Sequence, residues 1–386
     1  MEVAVPNQSE IVRTLIADDQ PDVLQALTLL LKDRGYEIHA VNSPAGLLES
    51  LHSGSFDVVL MDLNYTRDTT SGDEGMDLLT QIRLFDENLP VVAMTAWGSV
   101  ELAVEAIHRG VGDFVLKPWN NQHLLTVLEK QVQLGREKRK KLLREEEQEN
   151  AFLEAREIQR GLIPQEIPQI PGFEISCVWQ PAQAVGGDSF DIFKFNETQL
   201  AFCIADVVGK GMPAALLMSN LQAAVRSFAS EEVSPKETCN HLNRILGPNL
   251  GSGKFITFFY GHLDAGTRRL RYANAGHNAP IVIRAELSPF RLSEGGAALG
   301  AFQDWSYGQG IIQLQSGDRI VLFTDGITEA CKPNGEEYGE SRLLTVLAQA
   351  GTLSAEALQK KIFSSVIEFT DGAFQDDATL IVIAVH

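Results

Sequence analysis

The chain has 386 residues and a mass of 42.4 kDa, with 51 acidic against 32 basic side chains and a net charge of −19. At roughly 100–200 residues per domain the length implies two or three domains, and a composition of 44% hydrophobic and 22% charged residues excludes a wholly disordered chain. The acidic surplus argues against nucleic acid as a partner, which needs clustered Lys and Arg, and no apolar run reaches the roughly 18 residues of a membrane span.

The N-terminal MEVAVPNQSEIV has no basic stretch ahead of an apolar core, so a signal peptide is not expected. Cys177, Cys203, Cys239 and Cys331 are far apart and form no metal-binding spacing. Reduced thiols in a cytoplasmic protein are the expectation.

The first domain is expected over residues 10–130. Short apolar runs at 11–17, 38–41, 56–61, 91–94 and 113–116 read as strands. Helical spacing joins Leu24, Leu27, Leu30 and Leu31, and later Leu102, Ala106 and Ile107. Five βα units predict a doubly wound, five-stranded parallel sheet with its functional crevice at the carboxyl ends of the strands. At those ends stand Asp18-Asp19, Asp62, Thr95 and Lys117-Pro118, in strand order. Taken singly, each reads as a loop carboxylate or a cap; together they describe phosphoryl chemistry. Three carboxylates can hold an oxygen-coordinated Mg²⁺, and one of them can accept a phosphoryl group as an acyl phosphate. Lys117 and the Thr95 hydroxyl can meet the phosphoryl oxygens. Asp57, at the opposite end of the third strand, reads as structural.

On these residues the region resembles the response-regulator receiver family of two-component systems. The resemblance implies Asp62 as phosphoacceptor, with Mg²⁺ held by Asp18, Asp19, Asp62 and the backbone carbonyl of Asn64. It also implies Thr95 and Phe114 as switch residues, a cis Lys117-Pro118 bond, and a cognate histidine kinase as partner. The segment after Asp62, LNYTRDTTSGDEGMDLL, departs from the family's short acceptor loop without displacing the acceptor.

Residues 120–163 form a helical connector, rich in Leu, Glu, Lys, Arg and Gln and free of Pro between Trp119 and Ile163. Leu125, Leu128, Val132, Leu142 and Leu153 fit a heptad frame, whereas Glu149 and Arg156 put polar groups at core positions and Gly135 interrupts it. Two readings stand: a weakly paired coiled coil, and with it a homodimer, or a single solvated helix laced by i,i+4 ion pairs. The basic run 136–144 is followed by acidic 145–149 and reads as a charge-balanced face.

The second domain is expected over residues 165–386. Strands are predicted at 173–178, 200–205, 255–262, 270–274, 319–324 and 379–385, and helices at 213–227, 235–246, 340–349 and 354–369. Hairpin-like links such as LDAGTRRL indicate antiparallel pairing, so an α-β-β-α sandwich is the expected architecture. Asp188, Asp206, Asp325 and Asp376-Asp377 stand at strand ends with no His or Cys cluster beside them. That pattern describes a hard, oxygen-rich metal site, of the kind in which two ions about 3.5–4 Å apart activate water for displacement at phosphorus.

EIQRGLIP, VGGDSFDIF, ADVVGKGMPAALLM, FITFFYGHLD, YANAGHNAP, LFTDGITEA and QDDATL together resemble the PPM-type metal-dependent Ser/Thr phosphatases, in the bacterial branch that controls sporulation and stress sigma factors. The resemblance implies two Mn²⁺ or Mg²⁺ ions on Asp188, Asp206, the Val207 carbonyl, Asp325 and Asp376, with Asp377 and Asp191 orienting ligands from behind. His277 has two readings, a proton donor or a hydrogen-bonded structural histidine. No basic phosphate clamp stands out. The implied substrate is a phosphorylated anti-sigma-factor antagonist of the STAS type. The whole reads as a response regulator with protein-phosphatase output under control of Asp62; the alternative is a catalytically weak phosphatase fold serving as a receiver-controlled adaptor.

Overall fold

The computed structural model describes residues 11–65, 73–96, 100–251, 253–285, 287–349 and 351–386. The chain forms two compact units that divide between Gln148 and Glu149.

In the first unit, β1 (Val12–Ala17), α1 (Pro21–Lys32), β2 (Tyr36–Val41), α2 (Pro44–Ser53), β3 (Val58–Asp62), α3 (Asp73–Phe85), β4 (Val91–Thr95), α4 (Val100–His108) and β5 (Asp113–Leu116) alternate along the chain. The sheet is parallel, in the order β2-β1-β3-β4-β5. Alternation along each strand explains the two cores. Leu15, Val59, Met61 and Ala93 face Leu47, Leu51, Leu79 and Ile82 of α2 and α3. Ile16, Leu60, Val92 and Met94 face Leu27 and Leu31 of α1 and Leu124, Leu125 and Leu128 of the helix that follows. With both faces covered, the central strands must be apolar throughout, which is why they were legible as continuous runs.

That following helix, α5, runs unbroken over Asn121–Leu162. Three of the expected heptad residues, Leu125, Leu128 and Val132, are buried in the core of the first unit and so are not a free coiled-coil seam. Leu142 and Leu153 remain 43% and 48% exposed. Gly135 does not interrupt the helix. A Cβ there would lie 2.4 Å from Pro90 Cγ, so the absence of a side chain is what lets the helix pack against that proline.

The second unit contains β6 (Phe173–Gln180), β7 (Ser189–Lys194), β8 (Gln199–Val207), α6 (Met212–Phe228), α7 (Pro235–Leu246), β9 (Ile256–Asp264), β10 (Arg269–Ala275), β11 (Ile281–Ile283), β12 (Phe290–Arg291), β13 (Gly295–Gly296), β14 (Gly310–Gln313), β15 (Arg319–Phe323), α8 (Asp325–Thr328), α9 (Gly339–Ala348), α10 (Ala355–Phe369) and β16 (Ala378–Val385). One sheet runs β13-β10-β9-β8-β7, with β14 also on β10; the other runs β12-β11-β15-β16-β6. In β16, Ile381, Ile383 and Val385 join the apolar cluster that contains β8, β9, α6 and α7, while Leu380, Val382 and Ala384 face α9 and α10. Two sheets with helices outside give the α-β-β-α sandwich. The sequence reading passed over β7, although Phe190 and Ile192 are buried at period two within it.

Candidate functional sites

Parallel pairing brings the carboxyl ends of β1, β3, β4 and β5 together, and the receiver residues with them. Asp18, Asp62 and Thr95 are buried. Carboxylate oxygens of Asp18, Asp19 and Asp62 lie within 4.8 Å of one another. Lys117 Nζ bridges two of them, 2.5 Å from Asp18 Oδ2 and 2.7 Å from Asp62 Oδ2. Burial raises the Asp18 carboxyl above the usual range against the opposing pull of Lys117. For Lys117 burial acts downward, but the bonds to Asp18 and Asp62 outweigh it and its pKa is raised.

The Lys117 amide donates to the Thr95 carbonyl at 2.8 Å, and the Lys117-Pro118 bond is cis. Phe114 is half-buried against the α2–α3 side of the core. The Asn64 amide donates to Asp62 Oδ1 at 3.3 Å, while Asn64 Oδ1 is buried without a hydrogen bond. Asp57 is structural: its Oδ2 accepts from the Arg13 amide at 2.9 Å. The polar segment 66–72 of the acceptor loop lies outside the described residues. Sequence reasoning missed Tyr65, whose buried hydroxyl donates to the Ala17 carbonyl at 3.4 Å. Three carboxylates against one ammonium leave an excess of negative charge on hard oxygen donors, which a dication fits.

In the second unit Asp188 precedes β7, Asp206 lies in β8, Asp325 opens α8 and Asp376-Asp377 precede β16. Asp188 is 1% exposed, and its Oδ2 accepts from Thr324 Oγ1 at 2.7 Å and Thr379 Oγ1 at 2.6 Å. Its Oδ1 is buried without a hydrogen bond. Burial, then the charge of Asp206, raises Asp188 well above the carboxylate range. Burial and the neighbouring Asp325, Asp376 and Asp377 push Asp206 up to about 7. Asp325 is raised by burial and by Asp376.

Asp377 spends its carboxylate on backbone. Its Oδ1 accepts from the Ala182 amide at 2.8 Å, and its Oδ2 from Gly187 at 2.6 Å and Asp188 at 3.4 Å. The Val207 carbonyl lies beside Gly187, where a Cβ would stand 2.9 Å from it. Asp191 departs from expectation: its carboxylate makes a bidentate pair with Arg226 of α6, at 2.6 and 3.0 Å, and that pair rather than a ligand-orienting contact takes up both oxygens.

His277 is wired into the scaffold. Asn274 accepts from its amide at 2.7 Å and donates to its carbonyl at 3.0 Å, and Nδ1 meets Thr257 Oγ1 at 2.8 Å. Burial lowers its pKa to about 4, so the ring is neutral near pH 7 and unsuited to proton donation there. The structural reading is the one its surroundings support. Thr324, Thr379 and Thr257 were not found from sequence, because a threonine at a strand end carries no distinguishing signal.

Among the described residues, only the receiver trio brings three acidic ligand atoms within 4.8 Å; the phosphatase aspartates are spread more widely. Asp188 Oδ1 has no hydrogen-bond partner, and Asp188, Asp206 and Asp325 are all shifted upward by burial and by neighbouring aspartates, so these hard oxygen donors fit a dication.

Residues 14–129 match the response regulator receiver domain family, and residues 196–386 match the family described as Stage II sporulation protein E (SpoIIE). Phosphoserine phosphatase RsbU of Bacillus subtilis (strain 168) is 33% identical over 230 residues, covering 59% of this chain and 68% of RsbU. The chain belongs to the SpoIIE-type phosphatase family. Its second unit is a PPM-type serine/threonine phosphatase domain, and a receiver domain precedes it. Protein IcfG of Synechocystis is 29% identical over 257 residues, but the chain spans only 40% of its length. The SiaA-PP2C domain of Pseudomonas aeruginosa shares the fold at a TM-score of 0.55 and 20% identity, covering 63% of this chain and 98% of that one.

Proposed function

We propose that this SpoIIE-type protein is a response regulator whose output is hydrolysis of phosphoserine or phosphothreonine on a partner protein, governed by phosphorylation of Asp62. The observation that carries the reading is the gathering of Asp188, Asp206, Asp325 and Asp376: the half-buried Asp206 carboxyl is raised to about 7 by desolvation and then by the charges of Asp325, Asp376 and Asp377, which is the environment a divalent cation would relieve. Asp188, Asp206, Asp325, Asp376 and the Val207 carbonyl would hold two Mn²⁺ or Mg²⁺ ions. When bound, such ions neutralise phosphoryl charge and make water acidic enough to attack near neutral pH.

The chain's own residues prepare that site. Thr324 and Thr379 bind one oxygen of Asp188 and leave the other directed away from them. Asp377 gathers the amides of Ala182, Gly187 and Asp188, fixing the loop that carries Asp188. In the receiver, Asp62 would accept the phosphoryl group from a cognate histidine kinase, Lys117 would stabilise it, and Asp18, Asp19, Asp62 and the Asn64 carbonyl would hold Mg²⁺. Thr95 and Phe114 respond to the change. RsbU's own name as a phosphoserine phosphatase supports phosphoserine as the group hydrolysed here, and a phosphorylated STAS-type anti-sigma-factor antagonist is the substrate we favour. The protein acts as a homodimer paired along the middle of α5, where Leu142 and Leu153 remain exposed, with activation as the expected sign of receiver phosphorylation.

The test is hydrolysis of a phosphoserine protein by the full chain. Activity is expected to require added Mn²⁺ or Mg²⁺ and to fall at least a hundredfold in Asp325→Asn, the scale of losing one charge-stabilising group (about 2.7 kcal/mol or more). Full activity in EDTA, or in Asp325→Asn, rejects the reading.

A further inference from the structure

Among the described residues, Lys210 is the one cation ion-paired to Asp188, Asp206, Asp325 or Asp376, the aspartates proposed to hold metal. Its Nζ stands 2.8 Å from Asp376 Oδ2 and donates to the Gln375 carbonyl at 2.8 Å. The charges of Asp377 and Asp325 also act on it. Lys210 sits between β8, which carries Asp206, and α6, and it reaches the segment just before β16, so it spans two of the chain segments that build the site. The loop is shaped for this. Gly209 has φ +113° and Gly211 has φ +69°, both in the left-handed region that favours glycine, and the lysine projects from the turn between them.

The Lys210 and Asp376 side chains are 50% and 44% exposed, so the pair is weak and readily exchanged. A dication that takes Asp376 removes the lysine's partner and repels its ammonium at the same time. The ammonium then keeps the Gln375 carbonyl and is free to turn its remaining donors to an anion at the site. A phosphoryl group is such an anion, dianionic and rich in acceptor oxygens. The sequence shows no other basic clamp near these aspartates.

We propose that Lys210 is the phosphate-binding residue of the phosphatase site, held on Asp376 until a divalent ion takes that carboxylate and then released to the phosphoryl group of the substrate. No bond is made or broken in this exchange; one ion pair replaces another. The proposal rests on the phosphatase reading above.

The direct test is amine acetylation of the full chain, with the yield at Lys210 read by mass spectrometry. Labelling is expected to be low in the metal-free protein, to rise several-fold with saturating Mn²⁺, and to fall again when inorganic phosphate is added. Asp376→Asn should label strongly without Mn²⁺. In turnover, Lys210→Gln should raise KM for a phosphoserine protein about tenfold, the loss of one charge-assisted contact, and Lys210→Arg should restore most of it. Mn²⁺ binding, followed in parallel as loss of the free-ion resonance, separates the two readings. If Mn²⁺ binds but Lys210 labelling responds neither to Mn²⁺ nor to phosphate, or Lys210→Gln leaves KM unchanged, the role of Lys210 is overturned while the phosphatase reading stands. If Mn²⁺ does not bind these aspartates at all, both are overturned.

Discussion

With Asp206 as a ligand, as proposed, its raised carboxyl would make metal binding a proton-release reaction, and the size of the effect follows from a pKa of about 7. A dication that needs the carboxylate must displace the proton, so its apparent affinity is divided by 1 + 10^(pKa − pH). For a pKa near 7 that factor is about 11 at pH 6, about 2 at pH 7 and about 1.1 at pH 8. Mn²⁺ should therefore bind roughly tenfold more tightly at pH 8 than at pH 6 from this group alone, and the upward shifts of Asp188 and Asp325 act in the same direction. The stability of the metal-free protein has the matching sign. A folded-state pKa raised above the usual value of 3.8 stabilises the fold below that value, and the contribution is lost as pH rises through about 7. Melting temperature in EDTA should fall from pH 5 to pH 8, and saturating Mn²⁺ should remove that trend. The assay is a Mn²⁺ titration in an Asp19→Asn background, which disarms the receiver trio, repeated in buffers of different ionisation enthalpy to count protons released. An affinity that is the same at pH 6 and pH 8, with no proton release, refutes the assignment of Asp206 as a protonated ligand in waiting.

Thr379→Val keeps the side-chain shape but removes one of the two hydroxyls on Asp188; a hydrogen bond to a charged group contributes about 1.5–3 kcal/mol, so Mn²⁺ affinity should drop between about ten- and a hundredfold. Equal affinities for Thr379→Val and the parent in that titration would show that the hydroxyl does not set the Asp188 orientation. In the receiver, acetyl phosphate with Mg²⁺ should place an alkali-labile phosphate on Asp62, detected by mass spectrometry; labelling that persists in Asp62→Asn refutes the acceptor assignment.

The central strands of both units, among them β1, β3 and β4 in the first and β8, β9, β15 and β16 in the second, were legible because they are apolar along most of their length, whereas the short β11, β12, β13 and β14 were not read. Where the expected and observed limits differ, polar residues are the cause. Tyr36 and Glu37 extend β2 beyond the apolar run, and Asp206 and Val207 extend β8 into the site itself. The β7 strand was hidden by its own chemistry. Asp188 and Asp191 made the segment read as a ligand loop, yet Asp191 is a buried strand residue neutralised by Arg226 from a helix far along the chain. No local pattern announces such a pair.

The candidate ligands were legible for the opposite reason. Carboxylates at the ends of apolar strands conflict with burial, and a conflict that a chain repeats four times points to a ligand. What holds those carboxylates was not legible. The hydroxyls of Thr324 and Thr379 and the amides gathered by Asp377 become partners only through strand pairing across more than a hundred residues of sequence.

The connector helix is anchored by buried residues near each of its ends. Near its start, Leu124, Leu125 and Leu128 are spent in the receiver core. Near its end, Gln159 is 3% exposed, donates to the Gly186 carbonyl at 2.7 Å and accepts from the Gly186 amide at 3.0 Å. Gly186 is two residues from Asp188, and the next amide along, Gly187, is already held by Asp377. The helix terminus is fastened as well, since Gln222 of α6 donates to the Leu162 carbonyl at 2.6 Å. Two reciprocal bonds from a buried amide side chain cannot be exchanged for water without leaving buried groups unpaired, at about 1–3 kcal/mol each. A tenfold change in activity needs only about 1.4 kcal/mol. Turning or shifting the last turns of α5 therefore either carries the Asp188 loop with it or breaks the clasp, and breaking both bonds costs more than a tenfold change in activity requires. Gln159, within EIQRGLIP, is thus the residue that ties the last turns of α5 to the loop carrying Asp188.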